Sequence, residues 1–226
     1  MPDRFTNGEL EVMRGDLANV FYETTRQNAS YIFDNSIAGL RQSDDGVEVS
    51  FCKGEIKRFD LVIGPDGLHS NVRSLAFGNE AKYLNHLDIY CAIFTVPNFL
   101  RLKEMAGLYY GTRGKRVGIF SADHDKEARV SLYFASSRID YDYHDLDHQK
   151  DMILQQFSDL KWHVPQLLKF MENAPDFYFD SVSQVKMDSW ARGRITLLGD
   201  AGYCASPMSG MGTSMAVIGS YIWLVS

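Results

Sequence analysis

The sequence predicts an α/β fold (α+β overall) in which an antiparallel sheet is inserted between the two parts of a parallel one. Residues 60–73 and 194–216 each read as a short apolar strand, a turn with glycine and aspartate, and a helix, as in the units of a parallel sheet. Residues 82–137, between them, are β-rich runs separated by turn residues, as in an antiparallel sheet. Two strand–turn–helix stretches thus flank a β-rich region along the chain.

Composition and charge exclude several classes of protein. The chain has 226 residues, 45% of them hydrophobic and 23% charged, which is typical of a globular protein. Its net charge of −6 offers no basic surface for nucleic acid, and no secretory signal or membrane-spanning apolar run is visible. Cys52, Cys91 and Cys204 are odd in number and far apart. We therefore expect reduced thiols in a cytoplasmic protein without stable membrane insertion.

The first sixty residues predict one helix and a small meander of strands. Asp16 is a suitable N-cap for a helix that continues to about Arg26 and has one apolar face. Asp44-Asp45-Gly46 is a hairpin turn signal. Short alternating runs predict strands at residues 31–33, 36–40, 47–51 and 56–59.

The first strand–turn–helix stretch follows this meander. Its apolar strand ends at Gly64, and Pro65 leads into Asp66-Gly67. Ser70 is then placed to cap a helix that carries Arg73. An Asp-Gly turn after a strand is common, so this stretch indicates a site only together with the second one.

The β-rich middle contains aromatic side chains that could line a pocket for an aromatic ligand or fill the core of the sheet. We expect most to be core residues and one or two to face a substrate, with Tyr109, Phe120 and Phe134 as candidates. The set comprises Phe94, Tyr109, Phe120, Tyr133 and Phe134.

Two helices and a strand are predicted after the antiparallel sheet, at residues 152–157, 164–171 and 177–185. His144 and His148 are four residues apart near several aspartates, a spacing that metal ligands also use. The acidic residues suit a solvated helix start better, so we predict no metal site.

The second strand–turn–helix stretch carries the strongest signal. Asp200 follows the apolar strand of residues 195–198, at the sheet edge where open α/β sheets bind ligands. Pro207 stiffens the loop, the glycines allow close approach of a flat ligand, and the helix at 213–224 offers unpaired N–H groups to an anionic or electron-rich group. The candidate binding residues here are Gly199, Asp200, Pro207, Gly210, Met211, Gly212 and Thr213.

Gly199-Asp200-Ala201 followed by Pro207-x-x-Gly210-x-Gly212 resembles the Gly-Asp motif of the FAD-dependent aromatic hydroxylases, the single-component flavoprotein monooxygenases. Residues 60–73 resemble the same family's Asp-Gly motif and stand in the family's order. Two departures are Gly202-Tyr203 after the first motif and Pro65 in the second.

This resemblance implies a role for each motif. Asp200 would bind the flavin ribitol, and the loop and helix start after it would lie along the isoalloxazine. Asp66 and Gly67 would lie near the pyrophosphate and ribose of FAD. Arg14, at the start of the first helix, would lie against the flavin, because residues 14–17 fit the family's Arg-x-x-Leu spacing.

The resemblance also implies the domain organisation and the activity. Residues 1–80 and 181–226 would form a partial FAD-binding Rossmann-like domain, and residues 81–180 an inserted substrate-binding domain. The activity would be NAD(P)H- and O2-dependent hydroxylation of an aromatic or polycyclic small molecule, and the subgroup that looks closest inactivates tetracyclines. No side chain is singled out as a catalytic acid or base, because the cofactor carries the chemistry.

One family feature is not found: the Gly-x-Gly-x-x-Gly turn that binds the FAD pyrophosphate. We therefore expect this chain to be a fragment of such an enzyme, and the fragment alone to be inactive. Two alternatives stay open. One is a catalytically inactive fragment or binding module of the same fold, and the other is a flavin-dependent halogenase or reductase.

Overall fold

The computed structural model describes residues 14–103, 106–122 and 126–225, which form three sheets and six α-helices. Helix α1 spans Arg14–Thr25 and precedes an antiparallel sheet of β1 (Ile37–Ser43), β2 (Gly46–Phe51) and β3 (Lys57–Phe59) in that order. The predicted hairpin turn joins β1 to β2. The helix and the meander are therefore confirmed.

Two details of this region differ from expectation. Asp16 lies inside the first turn of α1 and is not its N-cap, because the helix begins two residues earlier. Residues 31–33 form no strand. The rings of Tyr31 and Phe33 instead stack on each other and contact Tyr22 of α1, with centroid distances of 5.0–6.0 Å. An aromatic side-chain cluster thus replaces the expected backbone pairing.

The small parallel sheet joins the two strand–turn–helix stretches. Its order is β10 (Ala191–Arg192), β11 (Ile195–Leu197) and β4 (Val62–Gly64), and β11 runs parallel to β4. Helix α2 (Asn71–Phe77) follows β4. One buried cluster contains side chains from this sheet, from α2 and from β2, so the meander and the parallel pair share a core. Its members are Val47, Val49, Val62, Val72, Ile195, Leu197 and Ala201.

The inserted sheet is antiparallel throughout. Its five strands are β5 (Leu84–Pro97), β6 (Gly107–Thr112), β7 (Lys115–Ala122), β8 (Glu127–Ala135) and β9 (Tyr178–Val185), in the order β6-β7-β8-β5-β9. Helices α3 (Leu146–Phe157) and α4 (Val164–Met171) pack their apolar residues against one face of it. Alternate residues of each strand point to the opposite face, which we call the open face.

Strand β9 was expected to lead back toward the FAD-binding part of the chain. It pairs with β5 along its length, for example Cys91 with Asp180 and Leu84 with Val185. Residues 181–185 therefore belong to the inserted sheet, a few residues past the predicted boundary at 180.

The stretch after β11 is more ordered than the expected loop. Helix α5 (Asp200–Tyr203) begins at once, a short 3₁₀ helix spans Pro207–Ser209, and helix α6 spans Gly212–Val225. None of the α6 residues, all within the described part, is buried, although the helix is largely apolar. Among the helices of the described ranges, none combines the length and apolar character needed to cross a bilayer.

Candidate functional site

The two acidic turns predicted from sequence lie side by side. Because β4 and β11 are adjacent and parallel, Asp66 and Asp200 both follow the carboxyl end of a strand at the same sheet edge. The Leu198 N–H donates to the Gly64 carbonyl at 3.1 Å, which continues the pairing up to the turns. Ligands of open α/β sheets bind at this edge.

Asp200 lies next to the start of α6. A Cβ atom added to Gly212 would lie 3.8 Å from Oδ1 of Asp200, and the aspartate is exposed. Gly199, with φ of +61°, turns the chain from β11 into α5, and a Cβ there would approach the Cβ of Ala216 to 3.3 Å. Glycine at position 199 thus allows α6 to pack close to the turn. The carboxylate and the first turn of α6 form one exposed surface.

The loop between α5 and α6 is held by its own hydrogen bonds. Ser206 has a φ of +87°, which is uncommon for a residue with a side chain, and its Oγ accepts from the Met208 N–H at 3.2 Å. The Ser209 hydroxyl donates to the Ser206 carbonyl at 2.8 Å and accepts from the Met211 N–H at 3.2 Å. The candidates Pro207, Gly210 and Met211 in this loop are exposed, as is Thr213 in the first turn of α6.

The carboxylate of Asp66 has a structural role of its own. It accepts from the Ser70 hydroxyl at 2.5 Å and from the Val72 N–H at 2.9 Å, while the Ser70 Oγ accepts from the Arg73 N–H at 2.9 Å. Asp66 and Ser70 together cap α2, which confirms the predicted cap at Ser70. The backbone at Gly67 is accessible to a ligand. Its φ is +83°, and a Cβ added there would meet no atom within 4 Å.

The side chain of Arg73 connects the two turns through hydrogen bonds to both of them. Its side chain is fully buried at 0% exposure. One guanidinium nitrogen donates to the Ala201 carbonyl at 2.9 Å, and another donates to the Leu68 carbonyl at 2.6 Å and lies 3.4 Å from Glu80. Burial lowers the pKa of Arg73, and the negative charge of Glu80 opposes that shift. The sequence showed only that the helix carries an arginine, and not that it joins the two turns.

His69 connects the Asp66 turn to the inserted sheet. Its Nε2 lies 3.1 Å from Asp180 of β9 and its Nδ1 lies 3.2 Å from Glu80. The hydrogen bonds to Asp180 and then Glu80 raise the pKa of His69 to about 9. No sequence pattern indicated this contact, because Asp180 is 111 residues away.

The aromatic candidates divide between the two faces of the inserted sheet. Tyr109 is 73% exposed, and its ring meets the ring of Phe120 edge-on at 5.1 Å. Phe120 lies over Gly107 and Gly118, since a Cβ on either would come within 3.0 Å of its ring. These residues form an aromatic patch on the open face.

Phe134 does not fit the expected substrate role. It is 1% exposed and packs on Tyr90 and on Phe157 of α3, at ring distances of 5.4 and 6.2 Å. Strand alternation places it on the helix-covered face of β8. We therefore assign Phe134 to the core, together with Phe94.

Two further expectations concern Arg14 and the histidine pair. Arg14 begins α1, but its side chain lies outside the described residues. His148 lies in the first turn of α3, where its N–H donates to the capping carboxylate of Asp145 at 3.0 Å. Across the described residues, no group of three His, Cys, Asp or Glu side chains is arranged to hold a metal ion.

Fold and site together give an α/β chain with an exposed edge on a small parallel sheet and an antiparallel sheet beside it. Residues 14–221 match the family model described as "FAD binding domain". The chain belongs to this FAD-binding domain family.

Several known proteins are similar to this chain in sequence or in structure. An uncharacterized protein of Mycobacterium tuberculosis is 45% identical over 95% of this chain and 57% of its own length. A flavin-dependent monooxygenase of Legionella longbeachae is 40% identical over 95% of this chain and 54% of its own length. The crystal structure of the tetracycline destructase Tet(51) superimposes with a TM-score of 0.84 at 35% identity, over 93% of this chain and 56% of that one. The chain thus spans about half the length of the curated relatives it matches.

Proposed function

We propose that this chain is the flavin- and substrate-binding part of an FAD-dependent monooxygenase that uses NAD(P)H and O2 to hydroxylate an aromatic or polycyclic small molecule. The observation that carries the proposal is the position of Asp66 and Asp200 at the ends of adjacent parallel strands. The names of the Legionella relative, a flavin-dependent monooxygenase, and of the tetracycline destructase Tet(51) support the same class of reaction.

The exposed residues at this edge fit FAD. Asp200 has acceptor oxygens for the hydroxyls of a ribitol chain. Gly212 lies beside it, and a side chain at that position would fill the space next to the carboxylate. The first N–H groups of α6 have no partner within the helix, and their positive potential suits the negative charge of a reduced flavin. Backbone at Gly67 is open to the pyrophosphate and ribose side. When bound, FAD supplies the redox chemistry.

We propose that the open face of the inserted sheet binds the substrate. Tyr109 and Phe120 offer an exposed aromatic patch, which suits a planar ring system. Residues 1–80 and 186–226 would then form the FAD side and residues 81–185 the substrate side, because β9 pairs with β5 up to Val185. Because Tet(51) is called a tetracycline destructase, tetracyclines are the first compounds to assay.

The test uses the protein as its gene encodes it. We expect a yellow protein with bound FAD that oxidises NADPH or NADH faster when a suitable substrate is present, and that forms a product heavier by one oxygen atom. Flavin binding without NAD(P)H oxidation would favour the binding-module alternative. Incorporation of halide into the substrate would favour the halogenase. A protein that binds no FAD would refute the proposal.

A cytoplasmic location is part of the proposal. It is supported by Cys52, Cys91 and Cys204, which are all free thiols.

A further inference from the structure

His69 bridges two carboxylates that belong to different parts of the fold. Glu80 lies in the 3₁₀ helix of Glu80–Lys82, close to the Asp66 turn, whereas Asp180 lies in β9 of the inserted sheet. Both ring nitrogens face a carboxylate oxygen at 3.1–3.2 Å. Only the protonated imidazolium can donate at both nitrogens, because a neutral ring has one donor and one acceptor.

Asp180 is a rigid anchor for this bridge. It is 5% exposed and accepts hydrogen bonds from the Tyr178 hydroxyl at 3.0 Å, the Tyr141 hydroxyl at 3.1 Å and the Ser181 N–H at 2.6 Å. Burial alone would raise the pKa of Asp180, but the hydrogen bonds from His69, Ser181 and Tyr178 hold it below its usual value. The carboxylate therefore stays charged and its position does not depend on His69 alone.

The ring of His69 is also fixed in its plane. Tyr143 stacks on it with a centroid distance of 5.2 Å and an angle of 3° between the rings. A polar cavity of about 110 Å³ lies beside it, so the ring can exchange protons with water. The charged and titratable groups around the ring are Arg73, Glu80, His86, Arg138, Asp140, Tyr141, Tyr143, Tyr178 and Asp180.

We propose that His69 is a positioning residue that clamps the Asp66-Gly67 turn to β9 and so holds the flavin side of the site in place against the substrate side. The clamp itself follows from the contacts of His69, and its effect on the cofactor rests on the proposed function. It differs from the role of Arg73, which joins the same turn to α5 and not to the inserted sheet.

The clamp makes the site sensitive to pH in a defined direction. The pKa of His69 in the folded protein is about 9, against 6.5 for a free histidine. Because its pKa is raised in the folded protein, His69 stabilises the contact between the turn and β9 fully below about pH 6.5. This stabilisation is lost as the pH rises through about 9. The turn should therefore loosen in alkaline solution.

The experiment compares wild type with His69→Gln and Asp180→Asn in the protein as its gene encodes it. His148→Gln is the control, because this histidine is exposed and makes none of the contacts of the clamp. FAD dissociation constants are measured from pH 6 to 9.5. For wild type and His148→Gln we expect weaker FAD binding as the pH passes 9. For His69→Gln we expect binding weaker by roughly 2- to 30-fold at pH 7, with little further change at high pH.

Two measurements test the clamp without FAD, and the first of them, made on wild type, does not depend on the folding of the variants. NMR of isotope-labelled histidine measures the pKa of His69 in wild type, and hydrogen exchange measures protection of residues 64–70. We expect a pKa near 9 that falls in Asp180→Asn, and protection at pH 7 that is lost in His69→Gln. A wild-type pKa near 6.5, or identical FAD binding by His69→Gln and wild type at every pH, would overturn the clamp. If wild type binds no FAD, the proposed function fails, and the pKa and the exchange data alone decide whether the clamp exists.

Discussion

Replacing Arg73 by methionine tests whether one buried side chain holds the two acidic turns together. Methionine keeps an unbranched apolar stem of similar length but removes every donor. The Ala201 and Leu68 carbonyls would each lose a hydrogen bond from a charged group, at 2.9 and 2.6 Å, and Glu80 would lose an ion pair at 3.4 Å. These are the contacts that connect the turn after β4 to α5.

The size of the effect follows from burial. A buried polar group left without its partner costs about 1–3 kcal/mol. The buried Ala201 carbonyl therefore accounts for about 1–3 kcal/mol of the unfolding free energy, and the partly buried Leu68 carbonyl adds about 1–2 kcal/mol. Glu80 adds a smaller part, because its side chain is 31% exposed and solvated. Nε of Arg73 is buried without a hydrogen-bond partner within the described residues, which destabilises the wild type. Methionine removes this atom, so part of the lost unfolding free energy is recovered. We expect a net loss of about 2–4 kcal/mol.

The assay is urea unfolding of the protein as its gene encodes it, with Arg192→Met as the matched control. Arg192 also donates to a backbone carbonyl, that of Ala76 at 2.7 Å, but it is exposed. Water can replace its hydrogen bond, so we expect a change within about 0.5 kcal/mol. If Arg73→Met is no less stable than Arg192→Met, the two turns are not held by Arg73.

Three further predictions concern the proposed ligands. Asp200→Ala should weaken FAD binding by about tenfold or more, because a hydrogen bond to a charged group contributes about 1.5–3 kcal/mol; the exposed Asp188→Ala is the control, and equal affinities in a fluorescence titration would contradict the assignment. Gly212→Val should also weaken FAD binding with little loss of stability, because its side chain would occupy the space beside the Asp200 carboxylate; unchanged affinity would mean that the flavin does not approach this residue. Tyr109→Ala should change the relative kcat/KM among substrates while FAD affinity stays within about twofold, since the residue is 73% exposed on the open face; a shift in the flavin spectrum alone would place Tyr109 on the cofactor side.

Much of the local structure could be predicted because short-range chemistry determines it. The predicted helix at 164–171 has the observed bounds, with a proline in its first turn. The hairpin turn at Asp44-Asp45 and the cap at Ser70 are also as predicted. Each depends on residues within a few positions of one another, so the sequence pattern contains the relevant interactions.

Contacts between distant residues could not be predicted in the same way. Residues 31–33 have the alternation of a strand, yet Tyr31 and Phe33 pack on Tyr22 instead. His69 gave no sign of its contact with Asp180, because the pairing of β9 with β5 brings them together. A single sequence shows which side chains can donate and accept, but not which of them meet.

The sequence by itself determined the two glycine- and aspartate-containing turns, their order and the antiparallel sheet between them, because glycine, aspartate and the period of apolar residues act locally. Only the tertiary structure decided that α3 covers the face with Phe134, that Tyr109 and Phe120 remain on the open face, and that β4 and β11 are neighbours. These outcomes depend on which apolar surfaces pack together across the whole chain, where burial contributes most of the stabilising free energy.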